Sequence, residues 1–381
     1  MKNWIALFVC VLCICACSSK KDPPVIAVNT DHWYLVAGSY SDGTTAGISV
    51  YDFNTQTGDF EYVSEVKEII NPSYLVVSPD EKFVYSTNEM EDGAVSAFAF
   101  DKKTGTLNFI NYQFTNGAGP CYININKEAT FIVTANYNGE SISVFPLAEN
   151  GRISPLSQYI VFSSPDEHAM PPSHTHTAVF SPNEKYLFVT DLGRDRIYRL
   201  KVGDGKRGIF LTPEEDHTVL LKTGSGPRHL AFHPNGCFLY SINELSGTIT
   251  EFYYRDGIQR IIQYVESDTT PGAERKGSAD IHLTPDGKFL YSSNRLKADG
   301  IAIFSVNSND GQLTKIGYQR TGIHPRNFTI SPNGKFLLCA NRDSNTIQIF
   351  QIEPGSGLLN FTGKMIRVDK PVCLKWIAKE E

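Results

Sequence analysis

The chain has 381 residues, a formal net charge of −6 and 12% aromatic residues. A mild acidic excess with no basic block excludes binding to a nucleic-acid duplex and bears mainly on solubility. The length would serve two or three ordinary domains, but all-β repeat folds reach it as one unit.

The N-terminus reads as a targeting segment. Lys2 precedes the apolar run Trp4–Ala16, which gives way to Cys17 and the polar stretch SSKKD. That run falls short of the about 20 residues a membrane-spanning helix needs and suits a signal peptide. Ile14-Cys15-Ala16-Cys17 resembles a bacterial lipobox, which implies lipidation of Cys17 and an exported, membrane-anchored lipoprotein, periplasmic or at the cell surface. An ordinary cleaved signal is the alternative. The expected organisation is a leader over 1–17, a tether over 18–30 containing Pro23 and Pro24, and a single domain over 31–381. Removing Lys2 with the leader takes the net charge from −6 to −7. Four of the eight Cys lie in the leader. The others, Cys121, Cys237, Cys339 and Cys373, show no metal-ligand spacing and read as buried free thiols in strands.

After Trp33–Gly38, Gly47–Phe53 and Phe60–Val66, three strand-like runs, a phrase of about 19 residues returns six times. It begins NPSYLVVSPDEKFVYSTNE at Asn71 and ends as HPRNFTISPNGKFLLCANR from His324. Each copy holds two short apolar runs around a turn such as SPDEK or TPDGK, whose Pro, Asp, Asn and Gly suit a tight hairpin. Taking the second turn residue as position zero gives Pro79, Lys127, Pro182, Pro234, Pro285 and Pro332. A third run follows in each copy, for example Thr248–Tyr254, and a weaker fourth, for example Leu313–Tyr318. Four antiparallel strands make a propeller blade. The tail Lys370–Ile377 matches a first strand with nothing after it, and the start of the domain matches strands two to four. The two ends therefore complete a seventh blade, giving an all-β, seven-bladed β-propeller closed by its terminal strands.

In a hairpin the start of strand one lies beside the end of strand two, so equivalent positions gather at one rim near the channel. Nine after zero stands Asn or Asp in all six copies, which reads as a side chain satisfying strand-end backbone. Six before zero the residues are Ser73, Cys121, His176, Arg228, Ala279 and Arg326. Ten after zero they are Glu89, Tyr137, Leu192, Glu244, Arg295 and Arg342. With His229 and Asp280 from the adjacent position, these place His176, Arg228, His229, Glu244, Asp280, Arg295 and Arg326 around one mouth. Converging polar groups in a concave mouth define a candidate ligand site. Clustered Arg repel one another unless an anion joins them, and Arg forks match carboxylate and phosphate. No GxSxG and no phosphate-binding loop with its Lys is present.

The phrases GPRHLAFHPNG, YSINEL, ADIHLTPDGKFLYSSNR and HPRNFTISPNGKFL resemble the seven-bladed lactonase family, which includes propeller-type 6-phosphogluconolactonases and carboxy-muconate cycloisomerases. The likeness runs from about Trp33 to Ile377, and GPRH followed by NEL and then SNR is its most specific part. By motif, the resemblance implies a catalytic group of His176, Arg228, Glu244 and Arg295, with His174 a second candidate beside His176. It implies hydrolysis of a small anionic or sugar lactone without a cofactor: His176 or Glu244 activates water and Arg228 or Arg295 stabilises the oxyanion. Arg326 with His229 would hold a distal phosphate or carboxylate, with His174 and Asp280 in the same substrate-binding set. An exported chain would act on an unphosphorylated lactone or another anionic compound, because 6-phosphogluconolactone belongs to the cytosol. A non-catalytic binding propeller and a lactone-forming cycloisomerase are the alternatives. A channel calcium, as in another lactonase propeller class, is disfavoured by so many Arg.

Overall fold

The computed structural model describes residues 28–162, 171–272 and 276–380. Cys17, the leader and residues 18–27 of the tether lie outside these. Among the described residues there are seven antiparallel sheets. The innermost strands are Pro371–Glu380, Leu75–Val77, Pro120–Ile125, Thr175–Phe180, Pro227–Phe232, Ser278–Leu283 and Pro325–Ile330. Each touches the next, and Pro371–Glu380 meets Leu75–Val77 to close the ring. The C-terminal strand pairs with Val28–Ser39, which continues through Ile48–Asn54 to Phe60–Val66, so the termini share one blade as the repeat phase requires. Blades are numbered from this one in chain order.

The two-run phrase becomes a hairpin because its turn contains one left-handed residue. Two residues after zero stand Glu81, Ala129, Glu184, Gly236, Gly287 and Gly334, with φ of 57°, 52°, 52°, 70°, 72° and 73°. In four of the six a preceding Ser or Thr fixes the turn, as where Ser78 Oγ accepts from Phe83 N at 2.9 Å and donates to Asp80 Oδ1 at 2.7 Å; Asn126 and His233 stand there in the other two. Second strands such as Phe131–Asn136 and Phe289–Asn294 are buried throughout, because both faces are covered by neighbouring blades. Phe131, Val133, Leu187 and Val189 form one such inter-blade core. Removing a ring like Phe131 there costs about 3–5 kcal/mol. Fourth strands such as Thr106–Phe114 mix exposed and covered positions and form the outer wall.

Two details depart from the sequence reading. The fourth blade has five strands, because its outer strand is split into Leu211–Pro213 and Val219–Leu220, both paired with Arg196–Val202. Pro213 cannot extend the ladder, and the acidic turn Glu215–His217 separates the pieces. Cys121, Cys339 and Cys373 are buried free thiols, but Cys237 is exposed because it lies in its turn rather than in a strand.

Candidate active site

Two backbone devices build the rim. The first is a left-handed residue eight before zero whose carbonyl accepts the N–H of the residue ten after zero. Gly226 O takes Glu244 N at 2.7 Å, Gly277 O takes Arg295 N at 3.2 Å and His324 O takes Arg342 N at 3.0 Å. Asn71 with Glu89, Gly119 with Tyr137, His174 with Leu192 and Lys370 with Tyr40 repeat the hydrogen bond, so every blade has it, and the acceptor residue is left-handed in all of them but His174. A side chain at Gly226 would meet Leu245 at 2.5 Å, and its φ is +63°, so glycine is required there.

The second device is a β-bulge at the start of the innermost strand. Pairing jumps from Pro227–Asn243 to His229–Ile242, which leaves Arg228 as the extra residue. The same jump skips Cys121, His176 and Arg326, and in the sixth blade it spans Ala279 and Asp280. Bulges re-aim side chains next to functional sites. Here they turn the residues six before zero out of the sheet's alternation.

These devices bring Arg228, Glu244 and Arg295 into direct contact. Glu244 Oε2 lies 2.8 Å from Arg228 Nε and 3.0 Å from an Arg295 Nη. The Arg228 Nε contact is close but off the N–H axis, so Coulomb attraction dominates it. Burial opposes the charge on Glu244, but Arg295, Arg228 and Arg326 outweigh it and hold the carboxyl below its ordinary range. Arg295 also donates to Gly277 O at 2.8 Å. Burial and the neighbouring Arg228 and Arg326 bring its pKa down to about 9, leaving it cationic near neutrality.

His176 is 4% exposed, with its ring 5.2 Å from that of His229 and 5.8 Å from that of Tyr137. Its Nδ1 is buried with no hydrogen-bond partner among the described residues. Desolvation and then Arg228, His229, Arg326 and Arg295 drive its pKa well below the ordinary value, so the ring is neutral. His174 lies further out, stacked on Tyr137 at 4.4 Å with its Nδ1 3.1 Å from Tyr137 O. Arg326 sits across the mouth with its guanidinium 5.4 Å from the Tyr40 ring centroid. Tyr40 Oη donates to the Glu89 carboxylate at 3.0 Å.

His229 and Asp280 are placed differently from the sequence expectation that they touch substrate. They lie behind Arg228 and are 5% and 1% exposed. His229 Nδ1 is 2.7 Å from Asp280 Oδ1, and its Nε2 is 3.2 Å from Arg228 Nη1. Both ring nitrogens are engaged, so neither is free for a distal phosphate. Tyr74 and Tyr122 stack at 4.2 Å and pack edge-on to the His229 ring. With His229 and Asp280 they line a pocket of about 320 Å³ that runs to the turns at Pro234 and Pro285.

The Asn that recurs in five of the six copies, with Asp191 in the other, is structural, as its recurrence implies. Asn136 Nδ2 donates to Ser141 Oγ at 3.0 Å and Ser143 Oγ at 2.9 Å, and Asn243 does the same with Thr248 and Thr250. Tyr40 and His324 are rim residues that the sequence reading did not select. Tyr40 occupies the place ten after zero in the blade split between the termini, where the repeat phase is hardest to follow. His324 shares its repeat position with His174 and has φ of 62°. Its ring lies 3.4 Å from an Arg295 Nη and 3.3 Å from Asp343. Among the described residues no group of His, Cys, Asp and Glu is arranged to hold a metal ion.

The family described as "Lactonase, 7-bladed beta-propeller" matches residues 34–376. The chain belongs to that family. A Formosa agariphila protein named 6-phosphogluconolactonase is 40% identical over 337 residues, 85% of this chain and 94% of the relative. A Bacillus subtilis protein of the same name is 31% identical, covering 89% of this chain and 97% of its own. The crystal structure of a putative 6-phosphogluconolactonase from Bacteroides fragilis superposes with a TM-score of 0.86 at 48% identity, over 93% of this chain and all (100%) of that one. A periplasmic gluconolactonase from Pseudomonas aeruginosa superposes with a TM-score of 0.85 at 29% identity, over 91% of this chain and 99% of that one. In this lactonase-family chain, therefore, the arginine-rich mouth is the place to look for lactone chemistry.

Proposed function

We propose that this protein hydrolyses a sugar lactone in the manner of a 6-phosphogluconolactonase, by water attack on the ring ester at the arginine-rich mouth. The carrying observation is Glu244 held between Arg228 and Arg295, with Arg326 adding a further positive charge. Two carboxylates, Glu244 and Glu89, against three guanidiniums leave a surplus that favours an anion, whether a substrate group or the oxyanion of a tetrahedral intermediate.

His176 is neutral and takes the proton from the attacking water. The water oxygen bonds to the ring carbonyl carbon, and the carbonyl oxygen becomes an oxyanion facing Arg228 and Arg295. Collapse of the intermediate breaks the acyl–oxygen bond, and the proton returns from His176 to the departing ring oxygen, giving a hydroxy acid. Glu244 fixes both forks in place and tempers their charge, so that the sugar acid product is released. Hydrolysis in ¹⁸O-labelled water tests the path: the label should enter the new carboxylate. Label in the released hydroxyl would mean attack at the sugar carbon and would sink it.

The protein is further proposed to be an exported lipoprotein anchored through Cys17. The apolar run ending in Ile14-Cys15-Ala16-Cys17 supports this, and the Pseudomonas aeruginosa relative is named a periplasmic enzyme. Cys17→Ser should move the protein from the membrane fraction to the soluble fraction, and unchanged membrane association would exclude this anchor.

A further inference from the structure

Arg228 is 2% exposed and tied on three sides. Its Nε faces Glu244, while its Nη1 donates to Ala279 O at 2.5 Å and faces His229 Nε2 at 3.2 Å. A guanidinium nitrogen is donor only, so the Nε2 it meets must present a lone pair. The proton of a neutral His229 then sits on Nδ1, where Asp280 Oδ1 accepts it at 2.7 Å. Burial and then the neighbouring Arg228 bring His229 down to about 4, consistent with a neutral ring.

Asp280 itself is surrounded only by donors. Oδ1 takes His229 Nδ1 and Ile281 N at 3.0 Å. Oδ2 takes His282 Nε2 at 3.0 Å, Asn327 Nδ2 at 2.5 Å and Phe328 N at 3.2 Å. Five donors from three blades fix an ionised carboxylate in one orientation. The innermost strands of blades five, six and seven are thus coupled through one side chain to the guanidinium at the mouth.

We propose that Asp280 and His229 are positioning residues for this lactonase: Asp280 sets the His229 tautomer, and that tautomer aims Arg228 at the oxyanion. The proposal rests on the reading of Arg228 as an oxyanion donor. It accounts for two buried polar residues that the hydrolytic steps do not use. An amide at Asp280 has one oxygen, and three of the five donors lie on the Oδ2 side. The oxygen of Asp280→Asn therefore turns to that side, and its NH₂ faces His229. The ring must then accept at Nδ1 and carry its proton on Nε2, opposing the Arg228 Nη1 donor.

Two measurements test this. Nitrogen NMR of histidine-labelled wild-type protein at neutral pH should show His229 protonated on Nδ1 alone, and in Asp280→Asn on Nε2 alone. The Nε2-protonated or the doubly protonated form in wild type would overturn the proposal whatever the turnover. On a lactone substrate, Asp280→Asn should lower kcat about 100-fold with KM within about 3-fold, because only transition-state contacts are lost. His229→Gln supplies an acceptor oxygen toward Arg228 that has no tautomer. In that background the Asp280→Asn cost should shrink to under about 5-fold. An equal cost in both backgrounds would assign Asp280 a merely structural role. Wild-type protein inactive on every lactone, yet with His229 protonated on Nδ1, would remove the hydrolase reading and leave the tautomer assignment standing.

Discussion

Arg228 lies in the first strand of one hairpin and Glu244 just past the end of the second, and their side chains meet at 2.8 Å because a bulge re-aims the first and a left-handed glycine, Gly226, pins the second. The contact is a product of backbone irregularity. A regular hairpin would alternate the residue six before zero into the sheet.

Glu244→Gln should reduce kcat/KM about 100- to 1,000-fold, the range seen when one oxyanion donor is lost, because Arg228 and Arg295 are no longer held in place. The amide keeps the volume but removes the charge that holds Arg295 and Arg228 in register. Steady-state kinetics check this, and circular dichroism should show an unaltered fold.

Arg326 makes no hydrogen bond or ion pair among the described residues; its guanidinium lies against the Tyr40 ring and acts on the Glu89 and Glu244 carboxylates only through space. Its donors are therefore available to a distal anion. Arg326→Ala should raise KM for 6-phosphogluconolactone about 10- to 100-fold and that for gluconolactone less than about 3-fold. Equal changes on both lactones would remove Arg326 from the role of phosphate anchor.

Acid should destabilise the protein through its buried histidines. His229 is lowered to about 4 and His324 to about 3, first by burial, and His176 is also driven well below its ordinary value. Between pH 6.5 and these values the unfolded chain binds protons that the native chain refuses. Stability is thus complete above about pH 6.5 and declines as pH falls, by up to about 1.4 kcal/mol per pH unit for each histidine. Denaturant titrations at pH 7.5 and 5.0 measure it, and the decline should be shallower in His324→Asn.

How far the sequence carries can be judged on these residues. The repeat phase locates the blades, the blade split between the termini and the positions of His176, Arg228, Glu244 and Arg295, because strand periodicity is a local property. It does not distinguish residues six and five before zero, since a bulge is invisible in an alternating pattern. That is why His229 and Asp280 read as mouth residues when they lie behind Arg228. Tyr40 escapes because its blade is assembled from both chain ends. His324 escapes because the left-handed position it fills is glycine in three other blades.

Alkali should act through a different group. Glu251 is fully buried at 0% exposure with neither carboxyl oxygen hydrogen-bonded among the described residues, and burial, then Asp310, raise it to about 8. The native chain holds a proton that the unfolded chain releases above its ordinary value of 4.5. Its contribution is full below pH 4.5 and is lost as pH rises through about 8, again at about 1.4 kcal/mol per pH unit. Glu251→Gln should therefore unfold at higher denaturant than wild type at pH 9 and show little difference at pH 5.

The most direct measurement is turnover by purified protein lacking residues 1–17, with 6-phosphogluconolactone and gluconolactone offered in parallel and spontaneous hydrolysis subtracted. The expected result is hydrolysis of at least one lactone that falls about 100-fold or more in Glu244→Gln. Turnover no faster than the spontaneous reaction on both lactones, or equal turnover by the Glu244→Gln protein, would contradict a lactonase working through the Arg228–Glu244–Arg295 cluster.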